Sequence, residues 1–309
     1  MSALFGGDIL RTDTLSNEEL ELILSTATRF ENTARAGGRL RNMEGRLLAT
    51  LFFEPSTRTR LSFEAAMLRL GGDVVTVSEP QSSSVVKGES LADTVRTVAG
   101  YADIIVVRHP REGSAQEAAD SAIVPVINAG DGAGQHPTQA LLDIFTIQKE
   151  KGSLEGLTVT LVGDLKNGRT VHSLVHVLAR FGVRLLFVSP AGLEMPSDIT
   201  AGLHKMGVYV SEGRDLAAAV RESDVLYVTR IQRERIANPA EYEQLKGSYI
   251  VDMSLVREAK PGISIMHPLP RVDEIASEVD AYQGAAYFRQ AANGVPIRMA
   301  LLALVTGRE

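Results

Sequence analysis

The sequence predicts an α/β protein made of two doubly wound parallel-sheet domains joined by interdomain helices. Three observations predict it. Aliphatic runs of strand length alternate with segments of helical period along almost the whole chain. Those runs are apolar throughout rather than alternating, as strands buried on both faces require. The chain has 309 residues, more than one core ordinarily holds, so two domains are expected.

In the first half, residues 47–53, 74–77, 104–107 and 123–127 read as strands. Between them Leu61, Ala65 and Leu68 recur at helical spacing, with Phe63, Ala66 and Leu70 on the adjoining stripe. Leu91, Val95 and Val98 mark a second helix face, and a third helix is expected near residues 136–149. The polar, glycine-containing residues 151–156 form the expected linker. In the second half, residue 157 opens a strand to 162, and Val171, Leu174, Leu178 and Phe181 mark a helix. Strands are then expected at 185–188, 209–210, 225–228, 249–251 and 263–266. A last helix near 296–305 would turn Met299 and Leu302 inward. The expected domains are residues 1–150, with a terminal helix near 286–309 packing back on them, and residues 151–285.

Composition excludes several classes. Lys and Arg number 32 against 38 Asp and Glu, a net charge of −6, so no basic field exists for non-specific nucleic-acid binding. There is no Cys, which removes disulfides, thiol nucleophiles and cysteine metal sites. Hydrophobic residues make up 44% and aromatic ones 5%, so the core must be mostly aliphatic. No secretory leader is evident at residues 1–15. No apolar run approaches the roughly 18–20 residues of a membrane span. A cytoplasmic protein without membrane or nucleic-acid partners is expected.

Several motifs resemble functional ones and fail. Gly163-Asp164-Leu165-Lys166-Asn167-Gly168-Arg169-Thr170 follows a strand and opens a helix, as a P-loop does, but Arg169 stands where that loop needs the compact charge of lysine. Gly130-Asp131-Gly132-Ala133-Gly134 lacks the final glycine of a dinucleotide fingerprint and reads as a turn. His172 and His176 could share a helix face, but Ser173 replaces the glutamate of a zinc protease and no third ligand follows. No Gly-x-Ser-x-Gly elbow is present.

The segment Phe52-Phe53-Glu54-Pro55-Ser56-Thr57-Arg58-Thr59-Arg60 is different. It lies between a strand and an amphipathic helix, and Pro55 suits a helix entrance. Ser56 and Thr57 are placed to cap that helix. A cap needs one hydroxyl; here three surround an arginine. Together with the helix N–H groups and dipole, they suit a dianionic phosphate.

This run also resembles the carbamoyl-phosphate signature of the aspartate/ornithine carbamoyltransferase family. The resemblance continues through Val85-Val86-Lys87-Gly88-Glu89-Ser90, Val107-Arg108-His109-Pro110, His136-Pro137-Thr138-Gln139, the 163–173 turn, Thr229-Arg230-Ile231-Gln232 and His267-Pro268-Leu269-Pro270-Arg271. Ornithine enzymes have cysteine in both the His136 and the His267 motifs, where this chain has Thr138 and Pro268. The arginines also suit a dicarboxylate acceptor. The resemblance therefore implies transfer of a carbamoyl group from carbamoyl phosphate to L-aspartate, an early step of pyrimidine synthesis.

It further implies that Ser56, Thr57, Arg58, Thr59 and Ser83 hold the phosphate. Thr59, Arg108 and His136 would contact the carbamoyl oxygen. Gln139 and the backbone carbonyls of Leu269 and Pro270 would hold the carbamoyl NH2, and Lys87, Arg169, Arg230 and Gln232 the aspartate. Arg58, Thr59, Arg108 and His136 are the expected catalytic set, with no metal and no cofactor. Glu54 is expected as a salt-bridge partner rather than a base. The resemblance implies a homotrimer whose loop near 81–88 lends Ser83 and Lys87 to a neighbouring chain, and it leaves room for a separate regulatory chain. A carbamoyltransferase for another amine, a dinucleotide dehydrogenase and a non-catalytic scaffold are the competing classes.

Overall fold

Burial on both faces shapes the strands. In the computed structural model, which describes residues 3–78, 84–236 and 238–309, the chain divides into two units. One comprises residues up to Leu142 together with Asn293–Glu309; the other is Asp143–Ala292.

The first unit contains α1 (Asn17–Arg35), β1 (Leu47–Phe52), α2 (Thr57–Arg69), β2 (Asp73–Val77), α3 (Leu91–Ala99), β3 (Ile104–His109), α4 (Ser114–Ser121), β4 (Val126–Asp131) and the start of α5 (Pro137–Lys151). Its sheet has the order β2-β1-β3-β4 with all neighbours parallel. β1, β3 and β4 are almost entirely buried, while β2 is an exposed edge. Beyond β4 the N-terminal segment adds a parallel bridge, Ile9 to Ile127. α3 and α4 supply Val95, Ala115 and Ala118 to a core shared with Leu51, Ile105 and Val107.

The second unit contains β5 (Thr158–Val162), α6 (Arg169–Leu178), β6 (Arg184–Val188), α7 (Ser197–Lys205), β7 (Tyr209–Gly213), α8 (Leu216–Glu222), β8 (Val225–Val228), α9 (Pro239–Leu245), α10 (Met253–Glu258), β9 (Ser264–Met266) and the start of α11 (Tyr287–Val305). The sheet order is β7-β6-β5-β8-β9, again parallel. Each sheet reverses its winding once, at β1/β3 and at β5/β8. In doubly wound sheets ligands bind beyond the carboxyl ends of the strands at that reversal.

Three elements differ from the sequence reading. The strand expected at 123–127 is β4, which starts at Val126 and runs on through Asn128 to Asp131. Its polar residues are buried, while the apolar Ile123 is 86% exposed, so hydrophobicity misplaces the strand. Residues 249–251 supply one bridge, Val251 to Ile275, because Asp252 already caps α10. The terminal helix starts at Tyr287, in keeping with the wider 286–309 expectation, and Pro296, where the shorter reading began it, lies inside it. The division at Leu142 falls within α5, upstream of the polar stretch 151–156. A helix that changes core midway has no break in composition to mark the change.

Candidate active site

In the first unit, the β1–α2 turn delivers Ser56 to the N-cap position. Its backbone is extended and its side chain makes no capping hydrogen bond, contrary to the capping role read from sequence. The N–H groups of the first turn of α2 have no acceptor within the helix. Arg58 is exposed beside this turn, and partial desolvation of its guanidinium draws its pKa down. Thr59 is buried and Thr57 exposed.

Across the winding reversal, Arg108, next to last in β3, pairs with Phe52 and is 8% exposed. It donates to the Ala129 carbonyl at 3.1 Å, pairs with Glu54 at 3.3 Å, and its Nη1 lies 3.5 Å from His136 Nε2. Glu54 is thus an ion-pair partner within the site. His136, also buried, opens α5, and its carbonyl accepts the Gln139 N–H at 3.1 Å. Sequence reasoning missed Asp131, whose buried carboxylate shapes the approach to His136. It accepts from Gln135 N at 2.8 Å, Gly113 N at 3.1 Å and Asn128 Nδ2 at 3.2 Å. Gly132 must be glycine, since a Cβ would lie 2.5 Å from the Pro110 carbonyl oxygen. The Gly130–Gly134 motif is therefore a packing turn, as its spacing implied.

In the second unit, the β5–α6 turn is organised by another missed carboxylate. Asp164 is fully buried and accepts from Asn167 N at 3.0 Å and Gln232 N at 3.3 Å. It joins the turn that leads to Arg169 with the segment after β8 that holds Arg230 and Gln232. A Cβ on Gly163 would lie 2.1 Å from the Thr229 carbonyl oxygen, so these two segments meet only through glycine. His172 contacts the Leu165 carbonyl at 2.7 Å; burial lowers its pKa. It supports the turn. Among the described residues no cluster of three or more His, Asp or Glu could hold a metal ion.

After β9, His267 is held at both ring nitrogens. The Leu269 N–H donates to its Nδ1 at 2.8 Å, so Nε2 carries the proton that it shares with Glu274 at 2.6 Å. Burial keeps the imidazole pKa low. Leu269 adopts φ 53°, a conformation that a leucine holds only when its surroundings over-determine it.

The structure thus groups Ser56, Thr57, Arg58, Thr59, Arg108, His136 and Gln139 in one unit, and Arg169, Arg230, Gln232, Leu269 and Pro270 in the other. Lys87 ends a short 3-10 turn, Ser84–Lys87, and is exposed. Ser83 lies outside the described residues.

Residues 7–149 match the sequence model of the aspartate/ornithine carbamoyltransferase carbamoyl-P binding domain, and residues 155–305 that of the Asp/Orn binding domain. The chain belongs to the aspartate/ornithine carbamoyltransferase family. Its relatives in that family include the aspartate carbamoyltransferase catalytic subunits of Thermococcus gammatolerans, 55% identical over 98% of both chains, and Methanopyrus kandleri, 54% identical over 99% of both. Among solved structures, the fold matches aspartate transcarbamoylase of Trypanosoma cruzi in complex with carbamoyl aspartate and phosphate. That match has a TM-score of 0.93 at 42% identity, covering 99% of this chain and 98% of that one. The complex of the same enzyme with N-(phosphonacetyl)-L-aspartic acid gives a TM-score of 0.94 at 43% identity, covering 99% and 97%.

Proposed function

We propose that this chain transfers the carbamoyl group of carbamoyl phosphate to L-aspartate, giving N-carbamoyl-L-aspartate and phosphate, in the pyrimidine pathway. The observation that carries the phosphate half of this reading is the N-terminus of α2, where the N-cap hydroxyl of Ser56 is not used for capping and Arg58 stands alongside. Ser56, Thr57, Arg58 and Thr59 bind the phosphate. Thr59, Arg108 and His136 donate to the carbamoyl carbonyl oxygen, where negative charge grows as the aspartate amine attacks, a preorganised electrostatic role. Glu54 and the Ala129 carbonyl fix the Arg108 guanidinium for that task. Gln139 and the Leu269 and Pro270 carbonyls orient the carbamoyl NH2. Arg169, Arg230, Gln232 and Lys87 bind the two carboxylates of aspartate.

The attack forms the C–N bond and breaks the C–O bond to phosphate. The departing phosphate accepts the amine proton, so no covalent enzyme intermediate is needed. The protein contributes orientation of two bound substrates and charge stabilisation. The enzyme works in the cytoplasm as a homotrimer in which Ser83 and Lys87 serve a neighbouring chain's site. A regulatory chain is compatible with relatives that are catalytic subunits. The test is a carbamoyl-transfer assay with aspartate and ornithine in parallel. Carbamoylation of aspartate alone is expected; transfer to ornithine alone overturns the assignment of the acceptor.

A further inference from the structure

The second unit contains a buried polar chain that the reaction as described does not use. Tyr227 in β8 donates to Asp143 Oδ2 at 2.7 Å. Gln290 in α11 donates from Nε2 to Asp143 Oδ1 at 2.7 Å and accepts the His267 backbone N–H at Oε1, 2.8 Å away. Tyr227 and Asp143 are fully buried, and Gln290 and His267 are each 1% exposed. A carboxylate at such depth is costly, and an apolar core of the same volume would serve stability as well or better. What the polar chain adds is direction. Asp143 fixes which end of the Gln290 amide faces the loop, so the amide oxygen receives the first N–H of the 267–270 turn. His267 then accepts the Leu269 N–H at Nδ1 and holds Leu269 at its positive φ. Without Gln290 the His267 N–H is a buried donor with no acceptor, a defect the turn relieves only by moving.

We infer that Gln290, set by Asp143, is a positioning residue that aims the Leu269 and Pro270 carbonyls at the carbamoyl NH2 and so distinguishes carbamoyl phosphate from acyl phosphates lacking that amine. The inference rests on the reading of those two carbonyls given above. Acetyl phosphate is the natural probe, because its methyl group occupies the place of the NH2 and donates nothing.

The experiment measures kcat/KM for carbamoyl phosphate and the inhibition constant of acetyl phosphate in the full-length protein. In Gln290→Met, which keeps the volume and removes both hydrogen bonds, kcat/KM is expected to fall about tenfold or more while acetyl phosphate inhibition changes less than about twofold. Gln290→Glu should retain most of the discrimination. Its carboxyl shares one proton with Asp143, so its O–H donates where the amide did and its carbonyl still accepts. Equal weakening of both phosphates in Gln290→Met, no change in either, or an equal loss in Gln290→Glu overturns the proposal. A parent enzyme that binds acetyl phosphate as well as carbamoyl phosphate instead overturns the reading of the carbonyls, and the inference falls with it. If Gln290→Met does not fold, Asp143→Asn, which keeps shape and removes the charge, must show a smaller loss in the same direction; an unchanged ratio there refutes the proposal.

Discussion

Replacing Asp131 with asparagine should loosen the approach to His136 without touching a residue proposed to meet substrate. One carboxylate oxygen accepts from Gln135 N and Asn128 Nδ2, the other from Gly113 N. An asparagine keeps one acceptor and presents an NH2 in place of the other. Whichever way the amide turns, at least one backbone N–H faces a donor. Losing a charge-assisted bond and stranding a buried donor costs about 1.5–3 kcal/mol. At about 2–4 °C per kcal/mol, unfolding should move down by about 3–12 °C. The catalytic effect follows from position: His136 directly follows Gln135, and misplacement of a catalytic group by about 1 Å can cost roughly a hundredfold. We expect kcat/KM to fall about ten- to a hundredfold. Thermal unfolding and steady-state carbamoyl transfer, measured on the same preparation, check both numbers. A midpoint unchanged within about 1 °C together with kcat/KM within about twofold would show that the carboxylate does not hold this turn.

Arg58→Ala should cost several kcal/mol of transition-state stabilisation; a loss under about tenfold in kcat/KM, roughly 1.4 kcal/mol, would sink its phosphate role. Arg230→Lys should raise the KM for aspartate far more than that for carbamoyl phosphate, because lysine lacks the planar fork that grips a carboxylate; equal effects count against a dedicated aspartate contact. Arg58→Ala and Lys87→Ala should each abolish activity alone and regain part of it when dissociated, mixed and reassembled; inactive mixtures containing verified mixed trimers would refute shared sites. His109, His172 and His267 are all held below the ordinary histidine range, in each case chiefly by desolvation. The unfolded chain therefore binds more protons below pH of about 6.5, so stability should fall as pH drops through that value. A thermal midpoint constant from about pH 7.5 to 5.5 would contradict this.

Much of the fold was legible because buried parallel strands are continuous apolar runs, as in residues 104–107 of β3 and in Val225–Val228. β4 was misplaced because Asn128 and Asp131 are buried by hydrogen bonding rather than by hydrophobicity. α1 left a readable signal in Ser16 and Glu19, which form a capping box. Of the proposed site, Ser56, Thr57, Arg58 and Thr59 were readable because anion chemistry favours hydroxyls and an arginine at a helix entrance, whereas Arg108, Arg169 and Arg230 drew their roles from the family resemblance. Asp131 and Asp164 were not, since both touch mainly backbone N–H groups whose positions exist only once the turns have formed. Tyr227, Asp143 and Gln290 are far apart in sequence, and nothing in local spacing signals that they meet.

The first unit is not contiguous in sequence. Its core is closed by Asn293–Glu309, where Arg298 lies over the Phe63 ring and reaches Thr138, the Thr306 hydroxyl donates to the Met43 sulfur, and the Arg308 carbonyl accepts from Asn42. During synthesis the ribosome makes all of Asp143–Ala292 before that closing strip exists. At about 5–20 residues per second this takes on the order of ten seconds. The amino-terminal unit, first to emerge, is therefore the last to be completed, and until then the faces that Phe63 and Met43 present to the terminal helix are uncovered. A fragment ending near residue 150 would remain in that state permanently, so aggregation of such a fragment should be cured by supplying the terminal helix rather than by moving the cut.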